Sequence, residues 1–227
     1  QQVVQAPRLG AMNLHSSLLP KCRGAAPINW TIIRGETVTG NSIIRLAEKM
    51  DAGDILAQSR LEIGETETAG ELHDRLAEDG ANLILATIDA LLAGTANQTP
   101  QEHSQATIAP KLTREHTRLD FAGKGAAELC NLIRGLYPWP GCRVKVVDPA
   151  SGLENRLTLV CAKPVAGERT NRQPGEIADD GTICVGSGSE AIAVLEVQPE
   201  GKGVMSLGAY RNGHPWRAGM RVESVVS

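Results

Sequence analysis

Residues 11–27 read Ala11-Met12-Asn13-Leu14-His15-Ser16-Ser17-Leu18-Leu19-Pro20-Lys21-Cys22-Arg23-Gly24-Ala25-Ala26-Pro27. The first five residues alternate apolar and polar and stop at the polar pair Ser16-Ser17, the pattern of a short strand ending in a turn. Residues two apart on a strand point the same way, so Asn13 and His15 share one face. A carboxamide beside an imidazole at a strand end suits an oxyanion site for acyl transfer, and strand ends in parallel sheets are where α/β enzymes bind ligands. Taken alone, the pair reads as readily as a hydrogen-bonded, buried histidine, and these five residues leave both readings open. Pro27 stands where a proline fits best, in the first turn of a helix, and Gly35 suits the helix stop after Arg34.

Working outward, Ser42 to Leu46 and Ile55 to Ile63 read as two strands joined by the loop Met50-Asp51-Ala52-Gly53-Asp54. Thr68-Ala69-Gly70-Glu71 has the spacing of a capping box. Beyond it Leu72, Leu76, Leu83, Ile84, Ile88, Leu91 and Leu92 recur at three- and four-residue steps, which places them on one face of a helix ending at Gly94. From Thr95 to Arg118 the composition turns polar and loses periodicity, as linkers do. Ala126 to Leu136 reads as a short helix stopped by Pro138 and Pro140. After it, Cys142–Val147, Arg156–Ala162, Gly175–Ala178, Thr182–Val185 and Ala191–Val197 read as short strands separated by turn clusters, a spacing typical of a small barrel. The expected organisation is an α/β domain over residues 1–96, a linker over 97–118 and a β-barrel domain over 119–227. Trp139, between two prolines, is expected to anchor the core where the helix meets the barrel. Gly186-Ser187-Gly188 has no helix after it and reads as a hairpin turn, not a phosphate loop.

Composition narrows the function classes. Of 227 residues, 41% are hydrophobic and 22% charged, which fits a globular protein. Aromatic residues make up only 3%, so the cores must be built from Leu, Ile, Val and Ala. No apolar run approaches the ~18 residues of a membrane span. The five cysteines are widely spaced and form no Cys-x-x-Cys pair, which argues against a zinc site or disulfide framework and for reduced thiols in a cytoplasmic protein. No histidine has ligand spacing to another, so no metal is expected. With a net charge of −3 the chain is not a broadly basic nucleic-acid binder. Residues 1–118 carry 11 Lys/Arg against 14 Asp/Glu, and residues 119–227 carry 12 against 12, so any RNA contact must come from a local patch.

The run from Asn13 to Pro20 resembles the signature of the folate-dependent formyltransferases, Asn-x-His-x-Ser-Leu-Leu-Pro. The resemblance implies an α/β, parallel-sheet, Rossmann-like catalytic domain, of which residues 1–96 are the second part, followed by a linker and a small OB-like barrel. It implies catalytic roles for Asn13, His15 and Asp51, the last opening a turn similar to the family's Asp-x-Gly-Asp, and folate contacts from Ser17, Leu18, Leu19 and Pro20. Met50-Asp51-Ala52-Gly53-Asp54 also reads, without the family, as a turn held by side-chain-to-backbone hydrogen bonds. Just upstream, Leu46-Ala47-Glu48-Lys49-Met50 departs from the family's usual Met-Asp-x-Gly-Leu.

The sequence Arg23-Gly24-Ala25-Ala26-Pro27 is similar to the branch of the family that acts on tRNA. Ala109-Pro110-Lys111-Leu112-Thr113 resembles its linker, and Arg134-Gly135-Leu136-Tyr137-Pro138-Trp139-Pro140-Gly141 and Gln198-Pro199-Glu200-Gly201-Lys202 resemble its C-terminal domain. That branch implies 10-formyltetrahydrofolate as co-substrate, methionyl-initiator-tRNA as partner, and neither membrane nor DNA. Arg23, Lys111, Arg114, Arg134 and Arg143 are the candidates for tRNA contact. The chain opens without Met and runs at once into an interior strand, so it is expected to lack the family's N-terminal part. Two rivals remain: a formyltransferase or hydrolase of the same fold acting on another acceptor, such as an amino-sugar nucleotide or water, and a non-catalytic RNA-binding fragment.

Overall fold

The computed structural model describes residues 7–167, 172–186 and 190–225. The chain forms two compact units. One comprises residues 1–31, 36–65 and 70–112, and the other residues 32–35, 66–69 and 113–227.

In chain order the first part contains β1 (Met12–His15), β2 (Arg23–Gly24), α1 (Pro27–Ile33), β3 (Val38–Thr39), β4 (Ser42–Arg45), β5 (Ile55–Gln58), β6 (Leu61–Glu62), α2 (Ala69–Ala93) and β7 (Ile108–Ala109). Its main sheet has the order β1-β4-β5, with β1 at one edge. Asn13 lies opposite Ile44 and His15 opposite Ser42. The pairing differs from the parallel sheet expected: β1–β4 and β4–β5 run antiparallel, and β2–β7 is the parallel pair among the described residues. For β4–β5 the geometry follows from the connection, because β4 turns straight back through a nine-residue loop into β5 instead of crossing over by a helix.

The face of β1 is set by packing. A Cβ at Gly80 of α2 would lie 2.8 Å from Leu14 Cδ2, so Leu14 fills the space that the glycine leaves on the helix. Alternation then turns Asn13 and His15 to the opposite side. The single strand expected over 55–63 is two strands, broken where the Ser59 hydroxyl donates to Asp79 and its backbone N–H to Asn41 O. Helix α2 is continuous, as its periodicity predicts. Its apolar stripe is fully covered only at the start, however: Leu72 and Leu76 are buried, Leu83, Ile84 and Leu91 are half-buried, and Ile88 and Leu92 stand exposed. Residues 97–112 are less bare than their linker composition suggests. They carry β7, an Ile55–Thr99 bridge and the buried Gln101, Ala109 and Leu112.

The second part contains α3 (Ala126–Gly135), β8 (Cys142–Val147), β9 (Glu154–Ala166), β10 (Ile183–Val185), β11 (Glu190–Pro199), β12 (Met205–Ser206), α4 (Leu207–Arg211) and β13 (Arg221–Ser224). Its antiparallel sheet has the order β10-β11-β9-β8-β13, with β12 on β11. Bridges Glu176–Arg221 and Ile177–Ile183 tie β13 and β10 to the segment 176–177, so the sheet curls almost into a closed barrel. The inward positions are apolar, among them Cys142, Val144 and Val146 on β8 and Leu157 and Leu159 on β9. Helix α3 lays Leu129, Ile133 and Leu136 on β9 and β11. Trp139 is not the core anchor expected: Leu136 ends the buried stripe, and Trp139, past the helix end, is 64% exposed. The hairpin turn expected at 186–188 lies outside the described residues after Gly186.

Candidate active site

His15 ends β1 and is 6% exposed. Its Nε2 lies 2.9 Å from the Cys22 carbonyl, which can only accept, so this nitrogen carries the hydrogen. The other ring nitrogen, Nδ1, faces Asp51 Oδ2 at 3.8 Å, a charge-pair distance with no hydrogen bond. The same carboxylate oxygen accepts the backbone N–H of Gly24 at 2.8 Å. Asp51 sits at φ +52°, in the left-handed region. The His15 ring is thus both fixed in the fold, through Cys22 O, and turned to a carboxylate. Asn13 shares its strand face, is partly exposed, and makes no side-chain hydrogen bond among the described residues.

The loop carrying Asp51 is held by a residue that the sequence does not single out. Gln101 is buried, and its carboxamide donates to Asp51 O at 2.9 Å and to Gly53 O at 2.7 Å. Its oxygen accepts from Arg23 Nε and Nη2 at 3.2 and 2.6 Å. Two glycines permit the arrangement. A Cβ at Gly53 would fall 1.8 Å from Arg45 O, and Gly24, at φ +121°, would push one to 2.6 Å from Ala109 O. Any other side chain at either place displaces backbone.

On the other side, Ser42 organises Ser17–Pro20. Its hydroxyl donates to Ser17 O at 2.6 Å and accepts from Leu19 N at 3.1 Å and Gln58 Nε2 at 2.8 Å. Ser17, Leu18, Leu19 and Pro20 all line one concavity of about 320 Å³, together with Thr39, Gln58 and Arg60 among others. The Thr39 hydroxyl there is buried and has no partner among the described residues. Polar groups spaced around an apolar Leu-Leu-Pro wall suit part of a heteroaromatic ligand that carries donors and acceptors. Neither Ser42 nor Gln101 had a sequence signal, since serine and glutamine in polar company look like surface.

The basic residues separate. Arg23 is engaged with Gln101 and with His103 Nδ1 at 2.9 Å, which makes it a strut of the Asp51 loop. Arg134 is only 6% exposed and donates to Asn131 Oδ1 and Glu67 O, so it is withdrawn from any macromolecular contact. Desolvation is the main cause that lowers its pKa. Lys111, Arg114 and Arg143 are exposed. Among the described residues no cluster of three or more His, Cys, Asp or Glu is placed to hold a metal ion, and no helix is long and apolar enough to cross a membrane.

Two family models match the chain: Formyl transferase over residues 1–88, and Formyl transferase, C-terminal domain, over residues 111–215. The methionyl-tRNA formyltransferase of Phenylobacterium zucineum is 37% identical over 222 residues, covering 98% of this chain and 70% of the relative. That of Bacillus cytotoxicus is 36% identical over 225 residues, covering 98% and 69%. Among solved structures, HypX from Aquifex aeolicus in complex with tetrahydrofolic acid superposes with a TM-score of 0.61 at 20% identity, covering 89% of this chain and 34% of that one. That likeness is one of fold.

Proposed function

The chain belongs to the formyl transferase family, and from that premise we propose that it transfers the formyl group of 10-formyltetrahydrofolate to the α-amine of methionyl-initiator-tRNA in the cytoplasm, for translation initiation. The observation that carries this reading is the pairing of His15 with Asp51 at 3.8 Å on the face of β1 that also presents Asn13. The acceptor assignment is supported by the relatives, which are methionyl-tRNA formyltransferases at 36–37% identity over nearly the whole chain.

The co-substrate supplies an electrophilic formyl carbon on N10. The amine nitrogen bonds to that carbon, the carbon–N10 bond breaks, and the proton lost by the amine is taken up by N10. An α-amine with a pKa of roughly 7.7–8 has a usable neutral fraction near pH 7. Asn13, whose carboxamide has no partner among the described residues, donates to the oxygen on which negative charge develops. His15 and Asp51 form the proton-handling pair. The Gly24 N–H holds the carboxylate and Gln101 holds the backbone of its loop while a proton passes from amine to N10, directly or through a positioned water. Ser17, Leu18, Leu19 and Pro20 wall the folate, and Lys111, Arg114 and Arg143 meet RNA phosphates.

The test supplies radiolabelled 10-formyltetrahydrofolate with methionyl-initiator-tRNA, an amino-sugar nucleotide, or water alone. Label is expected on the methionyl-tRNA. Label on the sugar, free formate, or no transfer to any acceptor sinks the assignment.

A further inference from the structure

The residue that departs most from its expected place is Trp139. An indole that is 64% exposed in a chain with three tryptophans is unusual, and the contrast within the same unit is sharp. Trp216 is buried, donates from Nε1 to Gly181 O at 2.8 Å and meets Tyr210 edge-on at 6.4 Å. Trp139 lines a concavity of about 160 Å³ with Arg114, Thr117, Pro140, Arg143 and others, and none of the described residues lining it is acidic. Arg143 points outward because its neighbours on β8, Cys142 and Val144, fill the barrel interior. A second concavity, of about 270 Å³, shares Arg143 and Val225 with the first and adds Arg156, with Glu200 as its one acidic liner. The two concavities together present an exposed indole, three arginines and one glutamate, on a chain whose overall charge is negative.

A flat indole beside guanidinium groups has the chemistry to hold one unpaired nucleotide, with the base stacked on the ring and the backbone phosphates on the cations. We propose that Trp139 is a stacking platform for an unpaired nucleotide of the RNA acceptor, whose flanking phosphates are held by Arg114 and Arg143. The proposal rests on the reading of the acceptor as an RNA, and goes beyond it in assigning a base contact where charge alone would give only phosphate contacts. Stacking is tolerant of base identity, so the site takes unpaired RNA of any sequence and contributes affinity, not discrimination.

The experiment titrates the 227-residue chain with uncharged initiator tRNA, with a single-stranded RNA tetranucleotide, and with heparin, a polyanion without bases. Both RNAs should quench indole fluorescence, and the quenching should vanish in Trp139→Phe, which leaves the two other tryptophans. Trp139→Ala should weaken RNA binding roughly 5- to 150-fold, with heparin binding and Tm unchanged. Trp139→Phe should retain most of the RNA affinity. Arg114→Ala and Arg143→Ala should weaken RNA and heparin alike and flatten the salt dependence by about one ion each. Unchanged RNA affinity in Trp139→Ala, or an equal loss of RNA and heparin, overturns the stacking assignment and leaves the RNA acceptor standing. A native chain that binds no RNA overturns both.

Discussion

The surroundings of His15 and the interior of the barrel are built by different forces. Around His15 the parts come from distant stretches of chain and are joined by directional bonds: Ser42 to Ser17 and Leu19, Gly24 to Asp51, Gln101 to Asp51 and Gly53. The barrel interior is apolar and filled by alternate residues of neighbouring strands, such as Cys142 and Val144 on β8 opposite Leu159 and Leu157 on β9. Losing one hydrogen bond misplaces an atom within an otherwise intact fold. Losing packed volume lowers the stability of the whole unit and moves no polar group. Activity and stability should therefore respond to different substitutions, the first in residues 13–101 and the second in the barrel.

The largest effect tests the first half of that contrast. Asn13→Ala removes a donor with no side-chain bond among the described residues, and His15→Ala removes the ring proposed to handle the proton. Each should lower turnover by about 10²–10³-fold, the effect expected for one oxyanion-type group, with Tm moved by only a few degrees. Asp51→Asn should fall in the same range while keeping the Gly24 bond. Near-normal turnover in any of the three removes that residue from the mechanism. A collapse in Tm would show that the site is part of the core after all.

Next in size is Gln101→Ala. It leaves Asp51 O and Gly53 O without their Gln101 donor and Arg23 with His103 alone of its two side-chain partners, at a local cost of about 1–3 kcal/mol. Turnover should drop on the order of tenfold, because the loop samples positions in which the carboxylate no longer faces the ring. Global unfolding in urea should shift little. If the unfolding midpoint falls as far as turnover, Gln101 is structural and the separation of roles fails.

How much of this was legible in advance follows the same division. The period of the apolar residues gave β1, α2, α3 and most barrel strands, because burial of one face leaves its imprint along a continuous stretch. The Asn13-to-Pro20 run stood out because its residues are contiguous in sequence. Gln101 did not, for it lies in a polar stretch with no periodicity and acts only through partners some fifty and eighty residues away. The antiparallel course of β1–β4 was hidden too, since a strand's own residues do not record its neighbour's direction. The two basic candidates that turned inward, Arg23 and Arg134, show that charge predicts exposure only until a buried acceptor is found. Trp139 departed in the other direction: its place between two prolines suggested a core anchor, but the helix end at Gly135 left the ring beyond the last packed position.

In the barrel the sharpening substitution is Ile192→Val. One methylene lost from a fully buried site on β11 should cost about 0.5–1.5 kcal/mol, read as a lower urea midpoint with an unchanged slope. The folded fraction should transfer formyl groups at the native rate. Loss of turnover in step with stability would mean that the barrel does more for the chemistry than hold RNA.

The smallest effect is one of pH. Burial pushes the Cys142 thiol from 9.0 up to about 12, and Cys130 is pushed to about 12 by burial and then by the neighbouring Cys161. A thiol that stays protonated in the folded state contributes stability in full below its unfolded pKa of about 9 and loses it as pH rises toward 12. For Cys142, with its side chain inside β8, the loss by pH 9.5 should be about 0.8 kcal/mol. Urea unfolding at pH 7.5, 8.5 and 9.5 should show a flat region and then a decline, shallower in Cys142→Ala. Iodoacetamide at pH 8 should leave both thiols unmodified until urea is added. Rapid modification of the native chain, or a stability that does not decline above pH 9, would mean that water reaches the barrel interior, and the packing half of the comparison would then have to be abandoned.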